Sequence, residues 1–489
     1  MVQGACGRHR QVTMALPHEP MTAPEAPAPA RVAHWPAAIG FALMALVMTL
    51  PAAPRLATHI LGAGDSAYFV WELWWFHHAA FVRHADPLLT DMLYHPQSGV
   101  PLIWSTPINL LPGMVLVGLL GPVMAYNTLV LAGLALAGYG AYRLAFALVG
   151  DRRAAFLAGL IFALAPAHMA QLAGGHLGVM SVQWVPFCAL ALLSLYAAPT
   201  WRRAGLFGLT VALVAATDLY VAAYFFGTLA VAFVGYHAWR DRARLLSPAF
   251  SLKAAIAAVA GLAATVPFHV PTWRTLQGAT SNTAQAATVD RFGQDLLQLL
   301  LPAPGHPLLG WLSHPLSGRI ANTDSWGTLG WVALALAGIG LWRRRDDLTR
   351  FWALFTGLAV VGALGTWLHV AGAKLLPMPY MLAVQLPVIK SLRVPGRLAE
   401  IAALGLAVLA AAGAAWWFNR LGERARWAFV ALGAAIALEY AAFMPFPTTS
   451  AAVPPFYRTL AADAPARAIL ELPNGDENWG GPTHRWMFY

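Results

Sequence analysis

Residues 201–244 read WRRAGLFGLTVALVAATDLYVAAYFFGTLAVAFVGYHAWRDRAR, and they predict the architecture of the whole chain. Two apolar runs, 204–217 and 219–238, meet at a short turn that holds Asp218, and arginines flank the other end of each run. Apolar runs of this kind are typical of helices that cross a bilayer. Because arginines collect on the cytoplasmic side of such helices, this stretch predicts two membrane helices joined by an outer turn.

The composition supports a membrane protein over a soluble one. Of the 489 residues, 59% are hydrophobic and 11% are charged, whereas soluble domains carry about 25% charged residues. The net charge of +10 would suit a nucleic-acid binder, but most of the arginines flank apolar runs, so we expect no nucleic-acid partner. Two cysteines, Cys6 and Cys188, exclude a disulfide framework and a cysteine metal site.

The same pattern recurs along the chain and predicts an all-α integral membrane protein with about eleven spans. The predicted spans are residues 36–54, 125–148, 153–170, 181–199, 204–217, 219–238, 253–271, 326–342, 351–370, 398–418 and 427–444. Arginines fall in every second connection, which predicts a cytoplasmic N-terminus and an outer C-terminus.

This topology divides the chain into segments of different character. The predicted segments are a disordered, Ala- and Pro-rich cytoplasmic tail (1–34), a membrane domain (35–444) with large outer segments (55–124, 271–325 and 371–397), and a short outer C-terminal segment (445–489). The last of these is either cut short or packs on the membrane domain. Because the inner connections are short and basic, we expect any chemistry on the outer face.

The first outer segment contains two features that need explaining. Asp65 follows Gly62 and Gly64 just beyond the first span, and AYFVWELWWFHHAAFV (67–82) then predicts an aromatic helix in the headgroup region. A carboxylate in front of such a helix can accept a proton from an attacking hydroxyl or hold a divalent cation. It can also simply cap the helix, and the sequence leaves both interpretations open.

A second apolar stretch in the same segment, INLLPGMVLVGLLG (108–121), is interrupted by Pro112 and Gly113. A full crossing there would place the following arginine pairs on alternating sides of the membrane. We therefore interpret this stretch as interfacial or re-entrant.

Further polar residues lie in the predicted outer turns. Asp91 and His95 lie near two prolines, His176 lies in the turn GGHLGVM (174–180), and Asp218 and Tyr220 lie in the turn between the two spans quoted first. A histidine in such a turn is more often simply solvated or hydrogen-bonded. A carboxylate at membrane depth is costly without a partner, so Asp218 is the harder residue to dismiss.

The stretch VQLPVIKSLRVPGRLAE (384–400) places Arg393 and Arg397 on the outer side, against the general trend. Arginines there suit the phosphate of a lipid carrier, which they bind through charge-assisted hydrogen bonds. Simple extension of the side chains toward lipid headgroups is the alternative, and it stays open.

Taken together, these motifs resemble the polytopic bacterial glycosyltransferases of the GT-C fold. The resemblance extends over about residues 36–475 and is carried by Gly64-Asp65 after the first span, the aromatic helix, Tyr94-His95-Pro96, the GGHLGVMSVQW turn and RVPGRLAE. This chain differs from several members in one respect. They have two adjacent acidic residues at this position, whereas here Ser66 follows Asp65.

The resemblance implies a GT-C-like helical bundle with a large first outer loop, in the inner (plasma) membrane. It implies transfer of a sugar from a polyprenyl-phosphate-linked donor to a glycan, lipid or protein acceptor on the outer face. Asp65 would be the catalytic residue and the candidate ligand for a divalent cation, Mg or Mn. The residues expected to bind substrate are Asp91, His95, His176, Asp218, Tyr220, Arg393 and Arg397.

Two other classes of function stay open, a secondary transporter or flippase and a non-catalytic scaffold related to these enzymes. Transporters tend to have repeated halves and ionisable residues near the membrane midplane. The predicted spans are almost free of charge, and no internal repeat is visible. No phosphate-binding loop of the form G-x-x-x-x-G-K-[ST] is present, which argues against an ATP-driven pump.

Overall fold

The computed structural model describes residues 33–93, 98–277, 289–320, 324–386, 389 and 392–462, with the backbone alone at 275–277 and 461–462. His95 and nearly all of the predicted N-terminal tail lie outside the described residues. The C-terminal segment is described only as far as residue 462.

The chain is mostly helical. The longer helices are α1 (Trp35–Met48), α2 (Ser66–His77), α3 (Pro107–Leu120), α4 (Pro122–Val149), α5 (Arg152–Ala163), α6 (Pro166–Ala173), α7 (Val185–Ala197), α8 (Trp201–Ala215), α9 (Leu219–Arg240), α10 (Pro248–Gln277), α11 (Trp331–Arg343), α12 (Asp347–Ala363), α13 (Leu398–Leu421), α14 (Ala425–Glu439) and α15 (Pro455–Ala462). Short helical turns occur at Arg242–Leu245, His314–Ser317, Tyr380–Ala383 and Pro395–Arg397, and a π-helical turn, His78–Val82, extends α2.

Within the described residues, four helical stretches are long and apolar enough to cross a membrane, namely Pro122–Val149, Leu219–Arg240, Pro248–Arg274 and Pro395–Glu439. A fifth is added if α5 and α6, which meet at an angle of 45°, form one broken span. Shorter apolar helices include α1, α3 and α11. Several membrane helices are thus present, but the predicted total of about eleven is not confirmed.

Several predicted spans end earlier than the hydropathy pattern indicates. The helix that begins at Trp35 ends at Met48, and α12 ends at Ala363, after which Trp367–Val370 forms a strand. Gly365 follows α12 with a φ of +75°. Since glycine adopts this left-handed conformation at little cost, it ends the helix within an apolar stretch.

Helix α13 lies at the centre of the bundle. Its residues 398–415 are buried on every side, as expected for a helix without a polar face. Gly413 and Gly340 let the backbones of α13 and α11 approach closely, because a Cβ at either position would overlap the other helix. Small residues at helix contacts are typical of membrane bundles.

Helix α3 corrects one detail of the sequence interpretation. It runs unbroken through Pro112, where the sequence predicts an interruption. Pro112 lies in the second turn and removes one backbone hydrogen bond without ending the helix. Gly113 allows α3 to pack closely against α2, because a Cβ there would overlap the side chain of Leu73.

In the described part of the chain, three two-stranded antiparallel pairs connect the loops. They are β1 (His59–Leu61) with β6 (Thr448–Ser450), β2 (Leu89–Thr90) with β3 (Val100–Pro101), and β4 (Trp367–Val370) with β5 (Ala373–Pro377). The first pair, in which Ile60 is opposite Thr449, joins the loop before Asp65 to the start of the C-terminal segment. This part of the C-terminal segment therefore packs on the helical domain.

The predicted inner loops meet at one end of the bundle, which we call the basic end. Arg244 donates a hydrogen bond to the Ala197 carbonyl (2.9 Å), and Arg240 pairs with Asp347 (3.0 Å). The guanidinium of Arg343 lies 4.9 Å from the centre of the Trp416 ring. We call the opposite end, where β1 and β6 pair, the site end.

Candidate active site

A double turn built from glycines holds Asp65 at the site end. The Asp65 N–H donates to the carbonyl of Gly174 (3.0 Å), and the Ala63 N–H donates to the carbonyl of Ala173 (2.8 Å). Gly175 has a φ of +78°, and a Cβ on it would overlap the backbone of residues 63–66. Only glycine permits this close approach. The contact therefore fixes the position of the loop before α2 relative to the turn after α6.

The side chain of Asp65 makes no capping hydrogen bond to α2, although the residue occupies the N-cap position. The interpretation of Asp65 as a simple helix cap is therefore not supported by the geometry. Instead, its Oδ2 lies 3.6 Å from Nε2 of His176. The two side chains are 47% and 24% exposed, so a substrate can reach both.

Behind His176, buried polar groups form a continuous chain. Nδ1 of His176 lies 2.5 Å from the amide oxygen of Gln171, and the amide nitrogen of Gln171 donates to Asp324 (2.9 Å). Asp324 accepts two further hydrogen bonds from Arg397, at 2.8 and 3.2 Å. Such a bidentate pair is strong and geometrically specific. Three chain segments that are distant in sequence thus meet at one partly buried imidazole.

Tyr220 connects this chain to the turn at Asp218. The guanidinium of Arg397 lies 4.6 Å from the centre of the Tyr220 ring, a cation–π contact. Oδ1 of Asp218 accepts a hydrogen bond from the Tyr220 N–H (2.7 Å). The Tyr220 hydroxyl accepts a hydrogen bond from the Arg393 N–H (3.1 Å), which places the exposed Arg393 at the edge of the cluster.

Burial and neighbouring charges shift the pKa values of the side chains in the cluster in different directions. Burial, and next the Arg397 charge, lower the pKa of His176, so the neutral imidazole is favoured. Burial opposes ionisation of Asp324, but the charge and hydrogen bonds of Arg397 outweigh it and hold the pKa of Asp324 below its usual value. Burial raises the pKa of Asp218, although Arg397 and the hydrogen bond from Tyr220 act in the other direction.

Glu400 lies one turn along α13 from Arg397 and is 2% exposed. Among the residues that the structure describes, neither of its carboxyl oxygens has a hydrogen-bond partner. Glu400 is three residues from Arg397, whose guanidinium pairs with Asp324. A buried carboxyl in a membrane helix is costly and is therefore a candidate for a functional role.

The sequence-predicted residues divide into three groups. His176, Asp218, Tyr220 and Arg397 join Asp65 in one cluster, with Arg393 at its edge. Asp91 is not among these contacts, and its exposed carboxylate pairs with Arg83 at 2.9 Å. The role of His95 stays a prediction because it lies outside the described residues.

Sequence reasoning missed Asp324 and Glu400. Asp324 lies in a long outer segment in which nothing in the sequence separates it from other polar residues. Glu400 ends the quoted stretch RVPGRLAE, and its position in an otherwise apolar helix was the available signal.

A divalent cation held by protein side chains alone would need several ligand atoms close together. Among the described residues, no three or more His, Cys, Asp or Glu side chains come together in a way that could hold a metal ion. Asp65 has His176 as its neighbour, whereas Asp324 is paired with Arg397. The predicted Mg or Mn ion, with Asp65 as its candidate ligand, stays a prediction.

The comparisons with known proteins identify no family. The sequence matches no protein-family model and no curated protein. The fold is similar to the archaeal oligosaccharyltransferase AglB from Archaeoglobus fulgidus, solved with an inhibitory peptide and a dolichol-phosphate, at 16% identity and a TM-score of 0.45. It is also similar to the apo form of the Archaeoglobus fulgidus oligosaccharyltransferase, at 15% identity and a TM-score of 0.42.

These similarities cover 84% and 85% of this chain but only 55% of each oligosaccharyltransferase chain. The chain thus spans about half the length of the solved structures that it resembles. At this level of similarity, function has to be argued from the site itself.

Proposed function

We propose that this chain is an integral membrane glycosyltransferase that moves a sugar from a polyprenyl-phosphate-linked donor to the hydroxyl of a glycan, lipid or protein acceptor. The observation that carries the proposal is the pairing of Asp65 with His176 at the exposed edge of an otherwise buried polar cluster. This cluster lies at one end of a bundle of apolar helices. A lipid-linked donor would keep its tail in the bilayer and present its phosphate at such an end.

The reaction needs a group that takes one proton. The acceptor oxygen attacks the anomeric carbon from the face opposite the phosphate, a C–O bond forms, and the C–O bond to the phosphate breaks. The bonding electrons leave with the polyprenyl phosphate, the configuration inverts, and the hydroxyl proton passes to the Asp65–His176 pair. Groups placed in this way contribute about 10²- to 10⁴-fold to a rate.

The leaving phosphate needs positive charge and hydrogen-bond donors. Arg393 is exposed beside Tyr220. Arg397 donates to Asp324 through Nε and Nη2, and in this proposal its Nη1 donates to the phosphate. Preorganised donors at the site of developing charge are commonly the largest contribution to catalysis. In this proposal, Arg393 holds the phosphate and the Asp65–His176 pair receives the acceptor.

Several finer points of the proposal are carried by the sequence alone. They are the inner-membrane location, the cytoplasmic N-terminus and pocket roles for Asp91 and His95. No step of the proposed reaction passes through a metal ion.

Replacing Asp65 by Asn is expected to slow transfer strongly, because the carboxylate that stabilises the transferred proton is lost. The full-length chain in lipid nanodiscs would be incubated with synthetic farnesyl-phosphate hexoses and pentoses, together with a membrane extract that supplies acceptors. Mass spectrometry would measure the farnesyl phosphate released. We expect Asp65→Asn to release it about 10²- to 10⁴-fold more slowly than the wild type.

Asp86→Asn is the matched control, since Asp86 is an exposed carboxylate of the same outer segment whose turn hydrogen bond an asparagine can keep. Equal release by Asp65→Asn and the wild type would contradict the assignment of Asp65. No release by the wild type with any of the donors would overturn the proposed function. That second outcome would favour a transporter or a scaffold, because neither would cleave the donor.

A further inference from the structure

The protonation of the His176 ring can be worked out from its hydrogen-bond partners, beginning at Arg397. A guanidinium donates hydrogen bonds and never accepts them. Nε and Nη2 of Arg397 donate to the two carboxylate oxygens of Asp324. This pairing keeps Asp324 ionised, so that Asp324 can only accept further hydrogen bonds.

The carboxylate of Asp324 in turn fixes the orientation of the Gln171 amide. Oδ2 of Asp324 lies 2.9 Å from the side-chain nitrogen of Gln171. If the amide were flipped, two acceptor oxygens would face each other, so the NH₂ group must point to Asp324. The amide oxygen then points to His176, where it lies 2.5 Å from Nδ1.

The amide oxygen of Gln171 can only accept, and therefore Nδ1 of His176 must carry a proton. A neutral imidazole has one N–H, so its other nitrogen, Nε2, then has a free lone pair. Nε2 is the nitrogen that faces Asp65, at 3.6 Å from Oδ2. Two acceptors therefore lie side by side at the open edge of the site.

This spacing suits an incoming hydroxyl. One oxygen atom placed above the pair can lie about 2.8 Å from both Nε2 and Oδ2, which is ordinary hydrogen-bond distance. A hydroxyl has one proton to donate, and the pair presents two acceptors to it. The pair is thus arranged to receive an alcohol.

We propose that Nε2 of His176 is the atom that takes the proton from the acceptor hydroxyl, and that Gln171, Asp324 and Arg397 are positioning residues that keep this nitrogen unprotonated. The proposal rests on the proposed function. The acceptor O–H bond breaks as the oxygen bonds to the anomeric carbon, and its proton binds to the Nε2 lone pair. The electrons of the broken C–O bond leave with the polyprenyl phosphate, and Asp65 stabilises the imidazolium.

The ring state can be measured without any substrate. The full-length chain, labelled with ¹⁵N-histidine in nanodiscs, would be compared with a His176→Asn variant to assign the ring signals of His176. We expect the neutral form with the proton on Nδ1, and we expect Gln171→Leu to convert it to a mixture of the two tautomers. A proton on Nε2, or an unchanged tautomer in Gln171→Leu, would overturn the positioning chain.

The proposed catalytic role of His176 is tested with the farnesyl-phosphate donors. Asparagine can keep the hydrogen bond to Gln171 but has no acceptor where Nε2 lies. His176→Asn is therefore expected to lower kcat at least 100-fold while KM changes less than threefold. His314→Asn is the matched control, because His314 is an exposed histidine of a predicted outer loop.

The outcomes separate this inference from the function on which it rests. If the wild type transfers sugar and His176→Asn does so equally well, the inference is wrong and the proposed function stands. If the wild type transfers no sugar from any donor, both are overturned. A thermal melt of each variant would show that a loss of activity is not a loss of folding.

Discussion

Single carboxyl groups in this protein behave according to their surroundings. Asp65 lies at the edge of the site and is 47% exposed, whereas Glu72, seven residues further on in α2, is fully buried. Oε2 of Glu72 accepts a hydrogen bond from the Ser105 hydroxyl (2.7 Å). A carboxyl group is thus accessible to a substrate at Asp65, whereas at Glu72 it makes a buried hydrogen bond.

The buried position of Glu72 predicts a dependence of stability on pH. Burial raises the pKa of Glu72 to about 8, against the opposing effect of hydrogen bonds from Ser105 and Tyr68. Since the ordinary pKa is 4.5, the folded protein binds a proton that the unfolded chain releases between these values. Stability therefore falls as pH rises through this window, by up to about 1.4 kcal/mol per pH unit.

Glu72→Gln should remove this penalty, because the glutamine is neutral at every pH and can still accept the hydrogen bond from Ser105. We expect the variant to melt at a higher temperature than the wild type at pH 8, and the difference to vanish near pH 4.5. Glu423→Gln, at an exposed position of the basic end, should have the same melting temperature as the wild type at every pH. A melting-temperature difference between Glu72→Gln and the wild type that stays constant from pH 5 to 8 would refute the raised pKa of Glu72.

At the scale of elements, the site depends on where helices end. Helix α5 ends at Ala163 and α6 begins at Pro166, and the bend of 45° between them directs the turn after α6 toward Asp65. The turn that follows carries His176, and the backbone contact at Gly175 keeps it against the loop before α2. The distance between Asp65 and His176 is thus set by backbone packing.

Gly175→Ala is expected to disrupt the site for this reason. Gly150, at the other end of the bundle, also has a left-handed backbone, with a φ of +75°, but a Cβ there would meet nothing within 4 Å. Both substitutions therefore incur the same backbone strain, about 1–2 kcal/mol, and only Gly175→Ala adds an overlap with residues 63–66.

We expect Gly150→Ala to lower the melting temperature by a few degrees and to leave donor cleavage intact. Gly175→Ala should lower the melting temperature further and reduce donor cleavage at least tenfold. Similar melting temperatures and full cleavage in both variants would show that the double turn does not position Asp65.

At the scale of the whole molecule, the chain has two chemically different ends. The basic end gathers arginines on aromatic rings and carbonyls, whereas the site end gathers three aspartates, a histidine and one paired arginine. The positive-inside pattern predicts that the basic end faces the cytoplasm.

The orientation can be tested by cysteine labelling. In a variant without Cys6 and Cys188, single cysteines would replace Ser317, exposed in a predicted outer loop, or Ala243, exposed at the basic end. We expect a membrane-impermeant maleimide to label Ser317→Cys in intact cells, and to label Ala243→Cys only after the membrane is opened. The reverse pattern would contradict the predicted topology.

Much of the architecture could be predicted from the sequence because it depends on local patterns. Apolar runs and the arginines beside them predict helices and their direction, and these properties need no knowledge of neighbours. The bounds were less predictable, since Gly365 ends α12 within an apolar stretch and Pro112 fails to end α3. In both cases, packing and backbone geometry outweigh the hydropathy pattern.

The sequence by itself determined that this is a helical membrane protein with Asp65, His176, Asp218, Tyr220 and Arg397 as candidates for chemistry. Only the tertiary structure decided which of these candidates meet, that Asp324 and Gln171 lie between them, and that Asp91 pairs elsewhere. The reason is physical. Hydropathy is a property of each residue and its near neighbours, whereas hydrogen bonds between residues 150 positions apart depend on how the helices pack.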